Sequence, residues 1–282
     1  MSDNTKIKAS EFFSQELKNE LENQNGQSCN GYLIIIDIKD STFRKNEYKT
    51  KWFKHTEAIY KSFLSAIDKI ESDVKNIEKI TIKFIGDSVM AFFKVSDSTY
   101  LEKDTKPNTE ISIKIINYVQ SYLNDIEAQK DLIGDMRLKT VITYLTEIYI
   151  VNIDDKIKDV LGRGIDFSFR LEKYADSSHI IINQMLKDSI CKNENKECYN
   201  DFFIIECKKK IKGWNTSGED FYLLTNEEMI KNTFNIFEPS VYSNDVNMEL
   251  FKFYINFIEK HKKEVYTIKE NEKTDLNSLL DK

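Results

Sequence analysis

The sequence predicts an α+β fold, and three kinds of local pattern support this assignment. Short apolar runs that are rich in β-branched residues indicate buried strands. Longer segments with apolar residues three and four positions apart indicate amphipathic helices. Two apolar runs are separated only by Gly86 and Asp87, a pair typical of the turn of a β-hairpin.

The order of the predicted elements narrows the fold class. The first half of the chain predicts a strand at 31–37, a helix at 49–70, the hairpin, a helix at 111–126 and either one long strand or a strand pair at 136–151. The second half predicts a helix around Arg170, a strand at 179–182, a helix at 183–190 and an antiparallel pair at 202–207 and 220–224. This order, β-α-β-β-α-β followed by αβαββ, predicts a ferredoxin-like core with additions.

We divide the chain into three regions. Residues 1–29 form an N-terminal helical extension, residues 30–225 the main domain, and residues 226–282 a C-terminal helical extension with a polar tail. The C-terminal amphipathic helix packs either on the core or against a partner. With 282 residues, 40% of them hydrophobic, the chain can bury one substantial core.

Composition excludes several classes of function. The net charge of −6 argues against a protein that coats nucleic acid. The longest apolar runs fall short of the roughly 20 residues of a membrane span, and the first residues lack the apolar core of a signal peptide. The four cysteines show no C-x-x-C spacing, which is typical of reduced thiols. We therefore expect a cytoplasmic protein without direct membrane contact.

Two aspartates predict a metal site. Asp37 follows the apolar run 33–36, and Asp87 lies at the hairpin turn. If the two strands are neighbours, both carboxylates project from one edge of the sheet, where they repel unless a cation lies between them. Hard oxygen ligands with room for water and phosphates suit Mg²⁺ or Mn²⁺. The alternative for each residue alone is an ordinary turn former.

A third segment adds a charged pair. Gly162 and Gly164 permit a tight turn before a helix, and on that helix Asp166 and Arg170 are four residues apart. They therefore share one face. The alternative is an ordinary exposed ion pair.

Taken in order, the three segments resemble the class III nucleotidyl cyclases. That family carries Asp-Ile-x-Gly-Ser/Thr at a strand end, Lys-x-x-Gly-Asp-x-x-Met-Ala-x-Phe in a hairpin and Gly-x-x-Val-Asn-x-x-x-Arg-Leu on a helix. The matching segments here are Asp37 to Ser41, Lys83 to Phe93 and Gly162 to Leu171. The resemblance extends over residues 30–225.

The resemblance implies a role for each matched residue. Asp37 and Asp87 would bind two divalent cations, Mg²⁺ or Mn²⁺, with the Ile38 carbonyl assisting. A homodimer would share its active sites, with the aspartates from one subunit and the helix residues from the other. The remaining implied roles are triphosphate binding for the backbone of Ser41, Thr42 and Phe43, orientation of the ribose for Asp166, stabilisation of the transition state for Arg170, and base recognition for Lys83 and Asp159. Lys212 would bind the triphosphate or, alternatively, belong to a solvated basic turn.

Two residues differ from the family pattern, and the third segment is most similar to one subgroup of the family. Asp40 replaces the usual glycine, and Asp166 replaces the usual asparagine. The pattern Gly-x-x-Ile-Asp-x-x-Phe-Arg-Leu is most similar to the stand-alone cyclases of bacterial Pycsar antiphage systems, which make cyclic pyrimidine mononucleotides. This resemblance implies conversion of CTP or UTP to cCMP or cUMP plus pyrophosphate, as a second messenger in antiviral defence that a separate effector reads.

Two other functions remain open from the sequence. An adenylate cyclase is the nearest alternative, because a Lys/Asp pair accompanies adenine in purine cyclases. A catalytically inactive cyclase fold that only binds a partner is the second. A two-aspartate palm also serves polymerases and diguanylate cyclases, but the Gly-Gly-Asp/Glu-Glu-Phe signature of the latter is absent from the sequence.

Overall fold

A computed structural model describes residues 28–96, 106–129, 136–152, 158–177, 179–191, 202–209, 219–226 and 229. All of them belong to one compact unit, Met1–Asn235. The predicted N- and C-terminal helices and Lys212 lie outside the described residues. In the part of the chain that is described, no helix is long and apolar enough to cross a membrane.

The described strands form one eight-stranded sheet. Its strands are β1 (Ser28–Ile38), β2 (Ile77–Ile85), β3 (Ser88–Val95), β4 (Leu138–Asn152), β5 (Lys158–Leu161), β6 (Ile180–Asn183), β7 (Phe202–Lys209) and β8 (Glu219–Asn226). Their order is β2-β3-β1-β4-β6-β8-β7, with β5 paired to β4. Only the β4–β6 pair is parallel among them. The first four strands thus have the order of a ferredoxin-like core, as predicted.

Helices cover both faces of the central strands. They are α1 (Ser41–Tyr48), α2 (Lys51–Asp73), α3 (Thr109–Ala128), α4 (Arg163–Leu171) and α5 (Gln184–Ile190), and a 3-10 turn at Glu172–Tyr174 follows α4. Alternate residues of a strand face opposite sides, and on β1 Ile34 and Ile36 join the core cluster with residues of α2 and α3. Leu33 and Ile35 are equally buried on the side where α4 contacts β1 and β4.

Most predicted elements are confirmed with small shifts of their ends. The hairpin turns at Gly86, whose φ of 66° is readily adopted by glycine. Asn108 caps α3 by accepting a hydrogen bond from the Ile111 amide at 3.1 Å. The segment predicted as one strand or two is the single long strand β4.

Two elements were not predicted, and two glycines have a role beyond the predicted turn. Helix α1 and strand β5 were not predicted; α1 has no buried residue, so no apolar periodicity marks it. Gly162 is the single residue between β5 and α4 and the N-cap of that helix, as the predicted tight turn requires, and Gly162 and Gly164 also serve close packing. A Cβ on Gly164 would lie 2.8 Å from Leu145 Cδ2, and one on Gly162 would lie 2.7 Å from Ile148 Cδ1. Both glycines therefore let α4 approach β4.

Candidate active site

The β1–β3 pairing brings Asp37 and Asp87 to the same end of the sheet. Asp37 lies directly opposite Ser88 in the antiparallel register, and Asp87 is the residue before Ser88. Facing residues in such a pair have Cβ atoms about 5 Å apart, and Asp87 lies in the turn directly before β3. The predicted adjacency of the two segments is therefore observed.

Tyr60 on α2 lies close to both carboxylates. Its hydroxyl donates a hydrogen bond to the Gly86 carbonyl at 3.1 Å. Burial raises the pKa of Tyr60, and the negative charges of Asp87 and Asp37 raise it further. Both aspartates are therefore close enough to act electrostatically on the same hydroxyl.

Both oxygens of Asp37 accept hydrogen bonds from the chain itself. Ser88 Oγ donates to Oδ1 at 2.6 Å, and Lys139 Nζ donates to Oδ2 at 2.9 Å. Lys139 faces Asp37 across the β1–β4 pairing and also lies 3.4 Å from Glu172 Oε1. The Asp37 side chain is only 9% exposed, so these partners offset the cost of burying its charge.

Sequence reasoning missed Lys139 and Glu172. A signal for Lys139 exists, because it is a lone charged residue in the apolar run from Leu138 to Leu145. Burial raises the pKa of Glu172 to about 7, with the charge of Asp37 acting in the same direction and Lys139 opposing it. Burial lowers the pKa of Lys139, but Asp37 and Glu172 outweigh that effect and leave it raised. Lys139 therefore stays charged at neutral pH.

An open cavity of about 710 Å³ adjoins Asp37. It brings together the residues of the first predicted segment, whereas Asp87, Asp166 and Arg170 are not part of its lining. The lining consists of Asp37, Ile38, Asp40, Ser41, Thr42, Phe43, Asn46 and Lys139.

The segment predicted as a phosphate loop is the first turn of a helix. Ser41, Thr42 and Phe43 begin α1, and Asp40 is its N-cap with φ 56° and ψ 33°. Glycine adopts this left-handed conformation most readily, and Asp and Asn do so more readily than most other residues, which explains how Asp can stand where the class III cyclases have glycine. The first backbone amides of a helix lack intrahelical acceptors and favour anions. The amides predicted to bind phosphate are thus at a helix start rather than in a loop.

A buried ion pair fixes the turn between Asp37 and α1. Lys39 Nζ lies 2.6 Å from Asp176 Oδ2, with side chains 16% and 10% exposed. The Lys39 amide donates to the Arg137 carbonyl at 2.8 Å. Asp176 Oδ1 also accepts a hydrogen bond from the Ser177 amide at 2.7 Å. Side chain and backbone of Lys39 therefore both hold this turn.

The two candidate base-recognition residues are in contact. Lys83 of β2 forms an ion pair with Asp159 of β5, and Asp159 also accepts from the Val160 amide at 2.6 Å. A second pair, Lys158–Glu78 at 3.6 Å, joins the same two strands. The Lys83 and Asp159 side chains are 36% and 18% exposed, so both are accessible to a ligand.

Asp166 and Arg170 lie on the exposed side of α4. The opposite side, with Ile165, Ser168 and Leu171, is buried. Ser168 Oγ lies 2.7 Å from Thr143 Oγ1 of β4, and this hydrogen bond fixes the rotation of the helix. The helix therefore presents the predicted pair outward, as the shared face i, i+4 requires.

The donor set fits a hard divalent cation together with a substrate. Among the described residues no group of three or more His, Cys, Asp or Glu side chains is placed to hold a metal. Asp37, Asp87 and the Ile38 carbonyl offer only oxygen donors, and Mg²⁺ characteristically takes one or two carboxylates plus waters and substrate phosphates. A site of this kind fits Mg²⁺ or Mn²⁺ beside an open cavity.

Comparisons with known proteins identify solved structures that have a similar fold. No protein-family model matches the sequence, and no curated protein matches it significantly. The adenylyl cyclase CyaB from P. aeruginosa is 15% identical, with a TM-score of 0.54 over 71% of this chain and 96% of that chain. The guanylyl cyclase Cya2 is 11% identical, with a TM-score of 0.50 over 71% of this chain and 94% of that chain. At such low identity the likeness concerns the fold, and the described part of this chain has the α+β fold of the adenylyl and guanylyl cyclases.

Proposed function

We propose that the protein is a nucleotidyl cyclase that converts CTP or UTP to the 3′,5′-cyclic monophosphate and pyrophosphate. The observation that carries the proposal is the adjacency of Asp37 and Asp87, beside a cavity bounded by the first turn of α1, within a cyclase fold. In this reading the product is a second messenger of antiviral defence in the cytoplasm, where a separate effector reads it.

The chain's own residues position a triphosphate for in-line attack. The first amides of α1, at Ser41, Thr42 and Phe43, bind the phosphate oxygens. Asp37 and Asp87, with the Ile38 carbonyl, would hold two divalent cations. When bound there, such cations would supply a lower pKa for the attacking 3′-hydroxyl and charge neutralisation for the leaving phosphates.

The reaction exchanges one phosphorus–oxygen bond for another. The ribose 3′-oxygen forms a bond to the α-phosphorus, and the bond from the α-phosphorus to the bridging oxygen breaks as pyrophosphate leaves. Arg170 stabilises the charge on the α-phosphate, for which its planar guanidinium is suited. Asp166 orients the ribose by accepting hydrogen bonds, because a carboxylate only accepts. Catalysis is then mainly positioning and charge stabilisation.

The active protein is a homodimer with two shared sites. Asp166 and Arg170 are exposed and do not line the cavity that contains Asp37. In a head-to-tail dimer the exposed α4 face of one subunit completes the cavity of the other, and Lys212 adds a further contact to the triphosphate.

A pyrimidine is the favoured base. The Lys83–Asp159 pair supplies one donor and one acceptor, which matches the pairing edge of cytosine and mismatches that of uracil. CTP is therefore preferred to UTP if this pair contacts the base. The same pair also matches adenine, and this observation supports adenylate cyclase as the second candidate.

The test is product analysis. The full-length protein is incubated with ATP, GTP, CTP and UTP together, in Mg²⁺ and separately in Mn²⁺, and cyclic products are identified by mass spectrometry. A cyclic pyrimidine nucleotide as the main product supports the proposal. Exclusive formation of cyclic AMP would favour the second candidate, and no cyclic product from any nucleotide would favour a non-catalytic binding module.

A further inference from the structure

Lys139 is the basic residue of the cavity lining, and it lies between two carboxylates. Its Nζ is 2.9 Å from Asp37 Oδ2 and 3.4 Å from Glu172 Oε1. The β1–β4 register places it directly opposite Asp37, so strand pairing keeps the ammonium group at this carboxylate. The side chain is 22% exposed, which limits screening of its charge by solvent.

A divalent cation at Asp37 has to share that carboxylate with Lys139. Ser88 already donates to the other oxygen at 2.6 Å. A serine hydroxyl is neutral and rotates freely to another acceptor. The lysine ammonium carries a full positive charge, which repels a second cation at short range. Of the two donors, only Lys139 therefore opposes metal binding electrostatically.

Glu172 offers Lys139 a second acceptor. It lies in the 3-10 turn that follows α4, and its side chain is 20% exposed. The 3.4 Å separation is longer than the contact with Asp37. A rotation about the last lysine torsions, which are flexible, would shorten it while releasing Asp37 Oδ2.

We propose that Lys139 is an internal cation that competes with the divalent metal for Asp37, and that Glu172 accepts the lysine when the metal binds. This inference rests on the proposed function, since that function assigns Asp37 to the metal. Lys139 is then a positioning residue: it keeps Asp37 neutralised and correctly oriented, and it sets the metal concentration at which the site loads. If Lys139 instead supported metal binding by ordering Asp37, replacing Lys139 would weaken metal binding rather than strengthen it.

The experiment measures Mn²⁺ binding directly. Free Mn²⁺ is titrated by electron paramagnetic resonance in the presence of full-length wild type, Lys139→Met and Lys139→Gln. Both variants remove the charge, and Lys139→Gln retains a donor for the two carboxylates, so it protects the fold if Lys139→Met misfolds. We expect Mn²⁺ to bind about ten-fold more tightly to either variant.

Lys79→Met is the matched control. Lys79 also bridges two carboxylates, Asp68 at 2.9 Å and Glu71 at 2.5 Å, and its side chain is 25% exposed. It is not part of the cavity lining. Lys79→Met removes one positive charge and two ion pairs, as Lys139→Met does, but at a distance from the cavity. It should therefore leave the affinity for Mn²⁺ unchanged.

Asp37→Ala separates failure of this inference from failure of the proposed function. If Mn²⁺ binding depends on Asp37 but Lys139→Met and Lys139→Gln bind it equally or more weakly, the competition is refuted and the metal site stands. If Mn²⁺ binding is absent, or does not depend on Asp37 in any variant, the metal site itself is wrong and the inference falls with it.

Glu172→Gln tests the acceptor. It should weaken Mn²⁺ binding several-fold in the wild-type background, because the alternative acceptor of Lys139 becomes a neutral amide oxygen in place of a carboxylate. In the Lys139→Gln background most of this effect should disappear, as a double-mutant cycle would reveal. An equal effect in both backgrounds would mean that Glu172 acts by its charge alone and would overturn its role as acceptor.

Discussion

The cavity around Asp37 and the outer side of α4 differ in how far their charged side chains are exposed to solvent. At the cavity, Asp37 is nearly buried and both its oxygens are bonded to Ser88 and Lys139. On α4, Asp166 and Arg170 are exposed. The cavity thus holds the charge of Asp37 in a nearly buried hydrogen-bond network, whereas the charges of α4 lie at the surface.

The difference teaches which half of a shared site needs preorganisation. Groups that bind metal and phosphate must keep a strict geometry, and buried hydrogen-bonded neighbours supply it. Groups on a rigid helix gain their geometry from the helix, here fixed on β4 by the Thr143–Ser168 hydrogen bond. In the proposed shared site, the α4 half could therefore stay open until a partner subunit covers it.

The largest expected effect comes from removing the carboxylates of the cavity half. Asp87→Ala and Asp37→Ala should each lower turnover at least about a thousand-fold, because each deletes a proposed metal ligand. Steady-state production of the cyclic nucleotide measures this, with circular dichroism to check the fold. Activity within ten-fold of wild type for either variant would remove the metal site from the mechanism.

Mixing variants tests whether the two halves belong to different subunits. Asp87→Ala and Arg170→Ala are each expected to be inactive alone. After random subunit exchange, half of the dimers are mixed and each has one intact site, so about a quarter of wild-type activity should return. Two Asp87→Ala preparations carrying different tags serve as the control for exchange. Proven exchange with no recovered activity would mean that each chain contains a complete site.

Sequence reasoning predicted the elements of strong periodicity and the paired aspartates. Buried positions of α2, namely Trp52, Ile59, Phe63 and Ile67, repeat at helical spacing, and the hairpin follows from Gly86 and Asp87. Helix α1 escaped prediction because it buries no residue. The four-residue strand β5 pairs with the strand directly before it, and only Val160 of its four residues is buried, so it leaves no apolar pattern in the sequence.

The candidate site was predicted only in part, because some of its residues have a local sequence pattern and others are brought in by strand pairing. Asp37 and Asp87 are recognisable because each follows an apolar strand. The partners that hold Asp37 are Ser88, opposite it on β3, and Lys139, opposite it on β4 and 102 positions away in sequence. Only the strand register brings them together, and a single residue of slip would send their side chains to the other face of the sheet.

A smaller effect, on stability, is expected from breaking the Lys39–Asp176 ion pair, which fixes the turn between Asp37 and α1. Burial alone would raise the pKa of Asp176, but the charge of Lys39 and its hydrogen bond outweigh this and hold the pKa below its usual value. Asp176→Asn should therefore lower the free energy of unfolding at neutral pH by about 3 kcal/mol, because it leaves Lys39 buried without its counter-ion. The KM for nucleotide should rise with it, since Lys39 lies in the turn that leads to α1.

The pH dependence of this effect has a definite sign. The unfolded carboxyl has the higher pKa, so the unfolded state binds a proton more readily, and the stabilisation is present above the unfolded pKa of about 3.9. Urea unfolding should show a constant difference between wild type and Asp176→Asn from pH 7 to pH 5, which shrinks below about pH 4. Glu47→Gln is the control, because it breaks the exposed Arg44–Glu47 pair and should cost at most about 1 kcal/mol. A difference that grows on acidification would contradict this account.

The smallest expected effect concerns the choice of base and the candidate base-recognition pair, Lys83 and Asp159. If Lys83 and Asp159 contact the base, Asp159→Asn replaces an acceptor-only group with an amide that can also donate, so the penalty against uracil falls. Because an unmatched buried polar group costs about 1–3 kcal/mol, the preference for CTP over UTP in a competition assay should fall about ten-fold, with kcat for CTP little changed. Glu78→Gln is the matched control, since it breaks the Lys158–Glu78 pair between the same two strands and should leave the preference intact. An unchanged preference in Asp159→Asn would show that the pair joins β2 to β5 without reading the base. The choice between cytosine and uracil would then depend on other residues.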